Sequence, residues 1–223
     1  MADKLNTVLF DLDGTLIDTA PDMVAALNRM LVRHGKAELP YARVRNTVSR
    51  GSLALVKLGF SDKLPETELK DLQNEYLAVY AESLCAASRP FEGMTDILSG
   101  LEAAAVRWGV VTNKPGWLTE PLLKQLGLYG RAGCIVSGDT LPVRKPDPAP
   151  LLHAAQLVQR KPQECVYVGD DQRDVDAGRA AGMRTLVALY GYIGDGENPR
   201  QWGADDMIGD IAQLRRWLQR HVL

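Results

Sequence analysis

Thr7-Val8-Leu9-Phe10 runs without a break into Asp11-Leu12-Asp13-Gly14-Thr15. A short apolar, β-branched run closed by a glycine turn predicts a strand buried on both faces, as in parallel sheets of α/β proteins. Open α/β sheets keep their ligand sites at the carboxyl ends of their strands, where Asp11 and Asp13 fall. Side chains alternate along a strand, so residues two apart point the same way and both carboxylates are expected to aim into one crevice. Gly14 lets the chain turn away, and Thr15 offers a hydroxyl to fix a neighbouring carboxylate. Alone, an Asp-Gly after a strand is equally well a plain turn. The rest of the chain decides between the two.

Helical patterning follows at once. Thr19 and Pro21 mark a helix start, and Met23, Val24, Leu27, Met30 and Leu31 form one apolar face. A second helix after Pro40 is expected to stop at Ser49-Arg50-Gly51-Ser52. Ser52 caps a third that ends at Gly59, and Pro65 opens a fourth with the stripe Leu69, Leu72, Tyr76, Leu77, Tyr80 and Leu84. Residues 19–89 therefore read as an all-helical cap inserted after the first strand. From Phe91 onwards short strands alternate with helices: Gly109-Val110-Val111-Thr112, Cys134-Ile135-Val136, Cys165-Val166-Tyr167-Val168 and Thr185-Leu186-Val187-Ala188. That alternation predicts an α/β fold, a doubly wound parallel sheet with a Rossmann-like core formed by residues 1–18 and 90–223.

Composition removes several classes of function. A net charge of −2 over 223 residues leaves no footprint for nucleic acid or an anionic membrane. The polar start Met1-Ala2-Asp3-Lys4 does not resemble a signal peptide, and no apolar run reaches membrane-span length, so a cytoplasmic protein is expected. Cys85, Cys134 and Cys165 are far apart and sit among apolar residues, as buried small hydrophobes of a reducing compartment do. No Gly-x-Gly-x-x-Gly follows the first strand, which argues against a dinucleotide site. A monomer or homodimer is expected.

The predicted strand ends converge on an acidic set. Asp11 and Asp13 close the first strand, Thr112 and Asn113 the second, and Asp170, Asp171 and Asp174 the fourth, while Lys145 follows the third in Arg144-Lys145-Pro146. Two unit charges about 4 Å apart repel by about 4 kcal/mol at an effective dielectric of 20. One lysine does not offset that many carboxylates, so the site calls for protonation or a bound cation. Carboxylates and water suit Mg²⁺, and Mg²⁺ with Lys145 matches a phosphoryl group. Asp11, at the rigid strand end, is placed to attack phosphorus and form an aspartyl phosphate. Asp13 is placed to protonate the leaving alkoxide and later to take a proton from water. Thr112 and Asn113 are expected to bond the phosphoryl oxygens, Asp170 to complete the metal shell, and Asp171 or Asp174 to adjust it or orient Lys145. Arg50, in the polar turn of the cap, would read a carboxylate at the far end of a small-molecule phosphate ester.

In this order, and with the cap in this place, the four segments resemble the haloacid dehalogenase superfamily of phosphatases. Asp11-Leu12-Asp13-Gly14-Thr15 matches its first motif, Thr112-Asn113 its second, Lys145-Pro146 its third and Gly169-Asp170-x-x-x-Asp174 its fourth. The resemblance implies Asp11 as nucleophile, Asp13 as acid and base, and Mg²⁺ held by Asp11, Asp170 and the main-chain carbonyl of Asp13. A helical cap after the first motif marks the group that contains phosphoglycolate phosphatases. Val110-Val111-Thr112-Asn113-Lys114-Pro115, Tyr190-Gly191-Tyr192-Ile193 and Asn198-Pro199-x-x-Trp202-Gly203-Ala204-Asp205 also resemble bacterial N-acetylmuramic acid 6-phosphate phosphatases. Tyr190-Gly191-Tyr192 is expected at the edge of the core. A phosphomutase would share the aspartyl phosphate, whereas a phospho-receiver module would need neither the cap nor Asp13.

Overall fold

The computed structural model describes residues 5–223; the polar lead Met1 to Lys4 lies outside the described residues. In chain order the elements are β1 (Thr7–Phe10), β2 (Ile17–Asp18), α1 (Ala20–Arg33), α2 (Tyr41–Arg45), a 3₁₀ turn at Val48–Arg50, α3 (Ser52–Gly59), α4 (Glu66–Ala81), β3 (Arg89–Pro90) and α5 (Met94–Ala103). There follow β4 (Arg107–Val111), α6 (Gly116–Gln125), β5 (Ile135–Val136), α7 (Ala149–Leu157), β6 (Cys165–Gly169), α8 (Gln172–Ala180), β7 (Arg184–Ala188), β8 (Asp206–Ile208) and α9 (Ile211–His221). Six strands form one parallel sheet in the order β5-β4-β1-β6-β7-β8. The fully buried β1 lies between β4 and β6.

Alternation along β1 divides the core into two layers. Val8 and Phe10 join a cluster with Leu98, Leu101, Leu122, Leu214 and Leu218, side chains of α5, α6 and α9. Leu9 faces the other way, onto Leu151, Ala154, Ala177 and Tyr167, in a cluster that includes side chains of α7 and α8. Each face of the sheet is thus covered by helices, which is why its strands read as unbroken apolar runs.

The helices between β2 and β3 pack on one another through Met23, Leu27, Leu31, Leu55, Leu72 and Tyr76. The Tyr76 hydroxyl donates to the Met23 carbonyl at 3.1 Å. This unit leaves and rejoins the core through the antiparallel pair of β2 and β3, in which Ile17 faces Pro90 and Asp18 faces Arg89. The buried Asp22 carboxylate braces that stem by accepting from the amides of Ala87 and Ser88 and from the Ser88 hydroxyl.

Three local expectations differ from the structure. The sequence pattern shows five strands and none within 19–89, whereas the structure adds β2, β3 and β8, which carry too few residues to show a period of two. The helix after Pro40 ends at Arg45, and the chain continues as a 3₁₀ turn. Gly51, at φ +85°, takes the cap position of α3, while the Ser52 hydroxyl accepts from the Gln73 amide at 2.8 Å.

No helix among the described residues is long and apolar enough to cross a membrane. Burial pushes the Cys134 thiol up to about 12 and the Cys165 thiol to about 11. Thiolate is the reactive form, so a disulfide reagent at mild alkaline pH should titrate at most Cys85 rapidly in the folded protein. Prompt release of three equivalents would contradict this packing.

Candidate active site

Strand register assembles the site. Phe10 pairs with Val110 on one side and Val168 on the other, so Asp11 stands level with Val111 and Gly169. Thr112 and Asp170 lie one residue beyond, and all three reach the same end of the sheet. Gly14, at φ +82°, turns the chain there; a Cβ on it would lie 2.1 Å from Asp170 Oδ2. No side chain fits that position.

Lys145 ties the strand ends together. Its ammonium donates to Asp11 Oδ1 at 2.8 Å, to Asp174 Oδ1 at 2.7 Å and to the Tyr167 hydroxyl at 2.7 Å, and that hydroxyl donates to the Val111 carbonyl. Burial works against the Lys145 charge, but Asp11 and Asp174 outweigh it and hold its pKa above the usual value. Burial raises the Asp11 carboxyl to about 6; Lys145 pulls it down and Asp174 pushes it up. Burial, Asp11 and Asp174 together hold Asp170 well above the ordinary carboxylate range.

Asp11, Asp170 and Asp174 each offer a carboxylate oxygen within 4.8 Å of the others. Three buried carboxylates facing one ammonium leave unbalanced negative charge, and an all-oxygen donor set suits a hard divalent cation such as Mg²⁺. Asp170 is oriented by the Ser49 hydroxyl at 2.6 Å, the Tyr192 amide at 2.7 Å and the Thr15 hydroxyl at 3.4 Å. Asp171 is turned away from this cluster. It caps α8 and pairs with Arg173, which outweighs its burial and lowers its pKa.

The Asp13 carboxylate is held apart from the other three. It accepts from the Lys114 ammonium at 3.0 and 3.3 Å and from the Thr19 hydroxyl at 2.7 Å. Lys114 is buried and also donates to the Tyr80 hydroxyl of α4 at 3.0 Å. Sequence reasoning missed Lys114, although a lysine directly after the Thr112-Asn113 strand end was a usable signal. It also put Tyr190-Gly191-Tyr192 at the edge of the core. In the structure that loop touches the site, because the Tyr192 amide grips Asp170 and its hydroxyl bonds Asp18 and the Ala20 amide.

Thr112 lines the cavity above Asp11. Asn113 does so too, but its side chain is committed at both ends to the Lys145 main chain, donating to the carbonyl at 2.9 Å and accepting from the amide at 3.1 Å. Its contribution to a phosphoryl oxygen would have to come from its own main chain. Arg50 lies on the cavity wall, but its guanidinium is taken by Glu197 in an exposed ion pair between cap and core.

A parallel α/β sheet whose strand ends gather carboxylates, a lysine and a threonine beneath a helical cap defines a phosphoryl-transfer hydrolase. The comparisons narrow the class. Residues 8–188 match the model of the haloacid dehalogenase-like hydrolases, and the chain belongs to that family. It is 45% identical over 210 residues to the phosphoglycolate phosphatase of Xylella fastidiosa strain Temecula1, covering 94% of this chain and 91% of that one. It is 41% identical over 217 residues to the N-acetylmuramic acid 6-phosphate phosphatase of Pseudomonas aeruginosa, covering 97% and 96%. The crystal structure described as a predicted phosphoglycolate phosphatase from Haemophilus somnus 129PT superposes with a TM-score of 0.84 at 27% identity, covering 96% and 98%. This chain is a phosphatase of that family.

Proposed function

We propose that the protein hydrolyses a small phosphate monoester through an aspartyl phosphate on Asp11, with Mg²⁺ bound beside it. The observation that carries this reading is the buried contact of Lys145 with both Asp11 and Asp174, two acids 163 residues apart in the chain, next to Asp170. The Asp11 carboxylate attacks phosphorus as the ester C–O–P bond breaks on the phosphorus side. Asp13 gives its proton to the departing alkoxide, and Lys114 and Thr19 fix its position meanwhile. Asp13 then takes a proton from the water that attacks the aspartyl phosphate, releasing inorganic phosphate and restoring Asp11. Lys145 and Thr112 compensate charge on the phosphoryl oxygens. Mg²⁺, held by Asp11, Asp170 and the Asp13 carbonyl with Asp174 alongside, would supply further charge neutralisation at the phosphoryl group. A cytoplasmic setting fits this chemistry.

The names of the relatives suggest two substrates, phosphoglycolate and N-acetylmuramic acid 6-phosphate. A screen of phosphate release over phosphorylated acids and sugars, with and without EDTA, tests the reading. Release that ignores the chelator would count against it.

Metal binding should also appear in stability. The folded state raises the Asp11 pKa to about 6, so in metal-free protein its contribution to stability is present below about pH 4 and is lost as pH rises through 6. Mg²⁺ competes with that proton. It should therefore raise Tm clearly at about pH 7.5 and little at about pH 5. Equal shifts at both values would argue against Asp11 as a ligand.

A further inference from the structure

The cavity above Asp11 has a volume of about 700 Å³. Pockets of about 300–1,000 Å³ enclose ligands of drug size. A two-carbon phospho-acid anchored at Asp11 leaves most of that space to water. The lining beyond the acidic cluster carries side chains suited to a ligand. Trp117, in the first turn of α6, is 52% exposed where it lines the cavity, and Leu53, Gln73 and Leu77 of the cap line it as well.

Arg144, an exposed residue, lines the cavity too. Its Nε donates to the Gly138 carbonyl at 2.6 Å, which fixes the plane of the guanidinium. Among the described residues, its two terminal nitrogens take no hydrogen bond or ion pair. Asp139 of the lining is held to α6 by the Gly116 amide, which donates to its Oδ1 at 2.8 Å. Arg144 is thus an anchored, unpaired guanidinium at the cavity, whereas Arg50 is already neutralised by Glu197.

We propose that Trp117 and Arg144 form a leaving-group subsite for a pyranose-sized phosphate ester bearing a carboxylate. This proposal rests on the phosphatase reading above. The indole covers the apolar face of the ring, and the fork of Arg144 takes the carboxylate through charge-assisted hydrogen bonds. Specificity then comes from the core wall as well as from the cap.

Four esters test this: N-acetylmuramic acid 6-phosphate, N-acetylglucosamine 6-phosphate (a similar ring without the carboxylate), phosphoglycolate and p-nitrophenyl phosphate. The native enzyme should prefer the first. Arg144→Gln should lower kcat/KM for the first by about ten- to hundredfold more than for the second, and Arg144→Lys should recover part of that loss. Trp117→Ala should weaken both sugar phosphates at least tenfold more than p-nitrophenyl phosphate. Equal losses on all four esters, or a native preference for phosphoglycolate, would overturn the subsite. If no ester releases phosphate in a Mg²⁺-dependent way, the phosphatase reading itself fails and the subsite falls with it.

Discussion

Asp11→Asn should reduce phosphate release from any substrate by about 10⁴-fold or more, as loss of an attacking group does in covalent hydrolases. The substitution keeps the shape of a side chain that is nearly buried and bonded to Lys145, so the fold should survive. Circular dichroism and Tm will separate lost chemistry from lost structure. In the native enzyme, rapid quenching with labelled substrate should trap an acid-stable phosphoryl adduct that the variant lacks. Substantial turnover by Asp11→Asn would remove the nucleophile from the mechanism, whatever else the site does.

Lys145→Met is expected to damage both activity and stability. The Lys145 side chain is 3% exposed and its ammonium lies between two carboxylates, so its removal leaves like charges facing each other at a largely buried position. Loss of one partner from such a group costs about 3–5 kcal/mol, a Tm drop on the order of 10 °C for a chain of this size. The penalty should be greater at neutral pH than in mild acid, because Asp11, whose carboxyl burial already raises to about 6, relieves it by taking up a proton. Activity should fall by about 10²-fold or more. A variant that keeps its native Tm at neutral pH would show that Lys145 does not bridge these acids in solution.

Much of this arrangement could be read from residue order because its physics is local. Thr7 to Phe10 is buried on both faces and therefore had to be an uninterrupted apolar run. Asp11 follows directly at its end, but β1 stops at Phe10 and the turn beyond it carries Asp13 onto Lys114 and Thr19, so alternation does not set the direction of the second carboxylate. Features that depend on distant partners were not legible. β3 exists because the insertion must rejoin the core next to Ile17 and Asp18, and nothing about Arg89-Pro90 signals it. Tyr192 reaches Asp170 because β7 neighbours β6 in the sheet, a fact of topology rather than of pattern. The pairing of Arg50 with Glu197 joins residues 147 apart, so no local pattern announces it.

The short ladder at Ile17 and Pro90 bears on how such a molecule can change. Both ends of the excursion are pinned side by side, so lengthening or replacing it adds only about 0.6 kcal/mol of closure entropy per doubling of length. A differently shaped lid would have to carry equivalents of the Ser49 hydroxyl on Asp170 and the Tyr80 hydroxyl on Lys114. A chimera carrying a foreign helical lid with those two hydroxyls between these two anchor points is therefore a practical route to altered substrate range.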